Sequence, residues 1–214
     1  MNFTSRSVRL RASVLFAAGL AAGCATAPTV DYDKLALDMI KGSFRAQGQA
    51  TVDRIQQDEV QRICSGRTPS PADVKRIETA ELATIKPPSN GRYLGDWREG
   101  EKLAQNGRGM TWTDPANAPA GGNCYNCHQL SKAEISFGTI GPSLYQYGKL
   151  RGVDDPANPA AAPIVQYTWG KIYNAKAYNA CSEMPRFGHA KVLSEQQIQD
   201  LMALLLDPKS PVNQ

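Results

Sequence analysis

The chain has 214 residues, 42% of them hydrophobic and 21% charged. Those proportions suit one or two small globular domains and exclude a fibrous or wholly disordered protein. The formal charge is +4, but Arg6, Arg9 and Arg11 sit in a leading segment without an acidic residue, and discounting them leaves +1. A chain so nearly neutral has no field to hold nucleic-acid phosphates.

In chain order, residues 1–23 read as an export signal, with those three arginines ahead of an apolar run from Ala12 to Ala22 that is too short to span a bilayer. Leu20-Ala21-Ala22-Gly23-Cys24 closes the segment in the manner of a bacterial lipoprotein signal. Cys24 is therefore a candidate lipidation site and mature N-terminus. Ordinary cleavage nearby is the alternative, because Ala21 stands where that pattern prefers a larger aliphatic residue.

Residues 24–88 form a polar, helix-prone extension. Val52, Ile55, Val60 and Ile63 recur at helical spacing in one segment, and Ser70-Pro71 opens a second helix that runs toward Pro87-Pro88. Residues 89–210 follow a compact all-α plan. A helix is expected over 96–106, carrying Trp97 and Leu103 and closed by Gly107, and another around 167–178. The last helix has Ser194 as N-cap, Gln197 completing a capping box, and Ile198, Leu201, Met202 and Leu205 on one face before Asp207-Pro208. No strand pattern or internal repeat is evident.

Besides Cys24, the cysteines are Cys64, Cys124, Cys127 and Cys181. Cys124-Tyr125-Asn126-Cys127-His128 has the spacing of covalent haem attachment. Two thiols three residues apart on one turn reach the two vinyl groups of a porphyrin, and the next residue turns its imidazole toward the iron. A thioredoxin-like dithiol, a zinc site and a plain disulfide are the competing readings. The first lacks a βαβ alternation, the second a further ligand pair, and the third leaves His128 without a role. Export agrees with haem, which is attached to such motifs outside the cytoplasm. Cys64 and Cys181 are expected to pair, on compartment and parity, which would pin the extension onto the haem domain.

An imidazole-held iron needs a sixth ligand, for which the candidates are Met39, Met110, Met184, Met202 and His189. Met202 falls on a core stripe, Met39 in the extension, and Met110 in a loop ahead of the motif. Met184 lies in Met184-Pro185-Arg186-Phe187-Gly188, where a following proline stiffens the loop and lowers the entropy lost on fixing its sulfur. Met184 is the expected ligand and His189 the fallback.

These motifs resemble the class I cytochromes c, over roughly residues 90–208, and imply that fold with one covalently attached haem c. In that family the Gly-Pro pair after the motif lies against the proximal histidine. The resemblance therefore gives Pro142 the carbonyl that orients His128, and lets the first and last helices cross through Trp97, Leu103, Leu201 and Leu205. More narrowly, Gly122-Asn123-Cys124-Tyr125-Asn126-Cys127-His128, Gly141-Pro142-Ser143-Leu144 and the Met184 loop look like the SoxX family, and the extension with Cys64 resembles its longer form. That likeness implies the electron-accepting subunit of a periplasmic L-cysteine S-thiosulfotransferase complex. Its partners would be a SoxA-like haem subunit that performs the sulfur chemistry, a SoxYZ-like sulfur carrier, and an acceptor cytochrome. No residue of this chain is expected to bind or transform the sulfur substrate. A free-standing monohaem electron carrier is the alternative.

Overall fold

The structure, a computed structural model, describes residues 29–66 and 68–214, so the export segment and Cys24 lie outside the described residues. Among those described, six α-helices form: α1 (Tyr32–Ser43), α2 (Glu59–Gly66), α3 (Pro71–Leu82), α4 (Trp97–Gln105), α5 (Ala162–Tyr173) and α6 (Glu195–Leu206). The only pairing of extended backbone in this set is an isolated bridge between Gln47 and Ala50. The all-α expectation holds.

The chain divides after Phe44. The first unit carries α1, capped by Asp31, which accepts from the Lys34 amide at 2.9 Å, and braced along its surface by Lys34 and Asp38. None of its residues is buried. The second unit runs from Arg45 to Gln214 and so holds residues 45–88 of the extension together with the segment 89–210.

The single helical segment expected over Val52 to Ile63 is two elements, a 3-10 turn at Val52–Ile55 and then α2. The break falls where Asp58 and Gln61 cap each other. Asp58 accepts from the Gln61 amide at 2.7 Å, and its own amide donates to the Gln61 side chain at 2.8 Å. In α3, Ser70 and Asp73 form a reciprocal capping box with Pro71 in the first turn. This helix ends at Leu82, ahead of Pro87-Pro88, because Thr84 donates its hydroxyl to the Glu81 carbonyl at 2.7 Å while the Thr84 and Ile85 amides tighten onto carbonyls three residues back.

Helix α4 starts on Asp96 and leaves helical geometry at Asn106, whose backbone is extended. Gly107 is therefore not the left-handed cap expected of it. It packs closely instead, since a Cβ there would lie 3.2 Å from the Asn123 side chain. Helix α5 begins five residues earlier than expected. The Asn158-Pro159 turn leads straight into it, and Pro163 is tolerated in a first turn. It stops at Tyr173, where the buried Asn174 turns away to bind Glu81 Oε2 at 2.6 Å and the Thr84 hydroxyl at 2.9 Å.

Helix α6 has the expected start, capping box and end. Every residue from Ile198 to Leu206 is buried, polar ones included. Gln199 is satisfied by Asn90 and the Arg92 carbonyl, and Asp200 accepts from the Asp96 amide at 2.9 Å. The core centres on the crossing of α4 and α6. There Gly100 and Ala104 are buried, and a Cβ on Gly100 would stand 2.2 Å from the Asp200 carbonyl oxygen. Leu201 and Leu205 are buried at this crossing, with Trp97 and Leu103 partly buried against the same cluster.

Candidate functional site

The Cys124–Asn126 turn hangs directly from that crossing. Gly122 donates to the Leu103 carbonyl at 2.9 Å and Asn123 to the Asn106 carbonyl at 3.1 Å, so the end of α4 fixes the residues just before the first thiol. Gln197 of the α6 capping box reaches the Ala120 carbonyl at 2.9 Å. Asn123 takes φ 49°, a left-handed conformation that asparagine tolerates better than most residues, and this reverses the chain into a 3-10 turn. Tyr125 is buried, and that burial pushes its phenol pKa up.

Cys124 and Cys127 carry free thiols. A Cβ on Gly122 would sit 3.1 Å from Cys124 Sγ and 3.6 Å from Leu201 Cδ1, so the first thiol lies against the helix crossing. Burial pushes the Cys124 thiol up to about 12 and keeps it neutral. A thiolate-bound cation would first have to overcome that desolvation. Among the described residues no group of three or more His, Cys, Asp or Glu side chains is gathered to hold a bare metal ion.

His128 Nδ1 lies 2.7 Å from the Pro142 carbonyl oxygen. A carbonyl can only accept, so Nδ1 carries the proton and Nε2 keeps its lone pair for a metal. The loop that supplies the carbonyl is itself pinned to the turn. Gly138 donates to Tyr125, Gly141 to Cys127 and Leu144 to Gln129, at 2.7–2.8 Å. Gly141 is obligatory here, because a Cβ would fall 2.1 Å from His128 Cε1. The same loop exposes Ile135 and Ile140, at 99% and 80%, beside the turn.

The alternative ligands separate by position. Met202 is wholly buried in α6, Met39 is exposed on α1, and the Met110 sulfur lies 3.8 Å from Arg54 Nη2. His189 sits with Nδ1 3.2 Å from the Thr84 hydroxyl. Met184, like Met110 and Cys124, is partly buried against the core cluster. Two free thiols for covalent attachment, an imidazole with a free Nε2 and a soft thioether are the set of groups a covalently bound haem takes, and the residues present fit it. A surface cleft of about 390 Å³ between Lys86, Trp169, Tyr173, Gly188 and Ile198 contains none of these donors.

Cys64 of α2 and Cys181 form a disulfide with Cα atoms 5.5 Å apart across 117 residues of sequence. The partners of Arg186 escaped the sequence reading. Its guanidinium pairs with Asp58 at 2.5 Å and Glu81 at 3.4 Å. Burial alone would raise the Asp58 pKa, but the Gln61 amide and the Arg186 guanidinium outweigh it and hold the carboxyl below its ordinary value. No local signal marks these pairs, since 128 and 105 residues separate the partners.

A family profile described as cytochrome c matches residues 98–208, slightly more than half the chain. An uncharacterized lipoprotein of Aquifex aeolicus (strain VF5) is 37% identical over 161 residues, covering 73% of each chain. Its alignment is too long to reflect the attachment motif alone. On the profile match, the crossing of α4 and α6 and the turn between them, the chain belongs to the cytochrome c family, an electron-transfer family with covalently attached haem c.

Proposed function

We propose that this protein is an exported monohaem electron-transfer subunit in which Cys124 and Cys127 would anchor haem c while His128 Nε2 and the Met184 sulfur would hold its iron. The observation that supports the histidine ligand is the bond from His128 Nδ1 to the Pro142 carbonyl, which leaves the other nitrogen available to the iron. Bound in this way, the group supplies one-electron cycling between ferric and ferrous iron. The protein's part is to orient His128 through Pro142 and to present a soft sulfur that favours the reduced state.

The physiological setting we propose is a thiosulfate-oxidising complex, with this chain receiving electrons from a SoxA-like partner and passing them to an acceptor cytochrome. The Met184-Pro185-Arg186-Phe187-Gly188 loop and the Cys64-bearing extension support that reading. The lipoprotein description of the Aquifex relative, together with Gly23-Cys24, supports export and a lipid anchor on Cys24.

The test is affinity purification of the tagged protein from native extract, with haem staining of the gel. A second haem polypeptide at equal stoichiometry, and haem that reduces when thiosulfate and the sulfur carrier are supplied, is the expected result. Elution as a lone cytochrome that thiosulfate leaves oxidised would sink the complex and leave a free-standing carrier. Met184→Ala should abolish the far-red charge-transfer band of methionine-ligated ferric haem and lower the reduction potential. An unchanged band would remove Met184 from the iron.

A further inference from the structure

Met184 stands between two anchors that both lead into the extension. Three residues before it, Cys181 is bonded to Cys64 of α2, and the adjacent Ala180 amide donates to Glu78 of α3 at 3.2 Å. Two residues after it, Arg186 reaches Asp58 at the start of α2 and Glu81 in α3. Beyond that, His189 meets the Thr84 hydroxyl, and the amides of Gly188 and His189 both donate to the Tyr173 carbonyl at the end of α5. A chain can span at most about 3.5 Å per residue, so each anchor lies within roughly 10 Å of the Met184 backbone.

The anchors are built to hold. The Arg186 side chain is 16% exposed and Glu81 only 9%, so this charge pair is largely withdrawn from solvent screening. Glu81 Oε2 is fixed in turn by Asn174, which also binds Thr84. Removing Arg186 would take from the buried Glu81 its guanidinium partner, so the cluster favours that side chain. The cytochrome c profile begins at residue 98, so this extension lies outside the part of the chain that the family match covers. Residues 58–84 of the extension touch the Met184 loop on both sides.

We propose that residues 58–84 are a two-armed brace on the Met184 loop, with the Cys64–Cys181 disulfide on one side and Arg186, held by Asp58 and Glu81, on the other. Arg186 is a positioning residue: it acts on the iron through Met184. The brace suppresses opening of the methionine–iron bond and so keeps external ligands off the metal and the reduction potential high. The inference rests on Met184 being the axial ligand, and the experiment separates the two claims.

Cyanide binding to the ferric holoprotein reads the opening directly, because the anion reaches iron only after the sulfur leaves. Arg186→Gln, and separately the joint Cys64→Ser and Cys181→Ser change, should each speed cyanide binding by about tenfold or more, with Arg186→Lys recovering part of the difference. Hydrogen exchange of amides 182–190 should rise in parallel while that of α4 and α6 stays low. Wild-type cyanide rates in correctly folded, haem-loaded variants would overturn the brace. A wild-type protein without the methionine band would overturn the ligand reading itself. Should Arg186→Gln fail to fold, selective reduction of the disulfide in folded wild type supplies the same comparison.

Discussion

The imidazole of His128 is positioned by two neighbours that act in different ways. Pro142 contributes a backbone carbonyl, which any residue could offer, whereas Gly141 contributes the absence of a side chain. Pro142→Ala should therefore preserve the axial spectrum, with a modest change attributable to lost loop stiffness. Gly141→Ala places a methyl where the imidazole ring stands. It should displace the ring or the loop at about 1–3 kcal/mol or more, visible as high-spin or misligated haem in the optical spectrum. Equal spectra for the two variants would mean that the close approach of Gly141 does not control the ligand. The sequence disclosed the Gly-Pro pair but assigned its work to the proline. The role of the glycine depends on a distance of closest approach, which no spacing of letters encodes.

At the scale of elements, what was legible followed from local chemistry. The Ser70 N-cap with Pro71 and the Ser194 capping box are each complete within four residues, and α3 and α6 begin where they predict. Helix ends were less legible because tertiary partners set them. Thr84 captures Glu81 and ends α3 before the prolines, while Asn174 ends α5 by turning to reach residues 81 and 84. The apolar stripe expected of α6 understates its burial, since Gln199 and Asp200 are also enclosed, satisfied by groups near residues 90–96. The crossing that supports the attachment turn depends on Gly100. Gly100→Ala should force α4 off α6 and destabilise the fold by about 1–3 kcal/mol, lowering the melting temperature by several degrees, and should loosen haem retention in the same variant. A melting temperature equal to wild type would show that the helices can separate at no penalty, contrary to the 2.2 Å approach of that Cβ to Asp200.

At the scale of the whole molecule, the disulfide is the long-range connection that most constrains the unfolded chain. Closing 117 residues is worth on the order of 5 kcal/mol in the chain-entropy account, so the Cys64→Ser, Cys181→Ser protein should melt well below wild type. Reduction of unfolded wild type should expose two further titratable thiols, and finding none would mean the bridge is absent. The attachment motif lies inside the loop that this bridge closes. Cys124 and Cys127 are close in sequence and would pair with each other quickly in an oxidising compartment, whereas Cys64 meets Cys181 only once folding has brought their backbones to 5.5 Å. Thioethers form only from reduced sulfur. Biogenesis of this chain therefore calls for an oxidant and a reductant applied to different sulfurs of one polypeptide. A cell that supplies only the oxidant will accumulate a well-braced, colourless protein sealed shut at the two thiols it was meant to spend on haem.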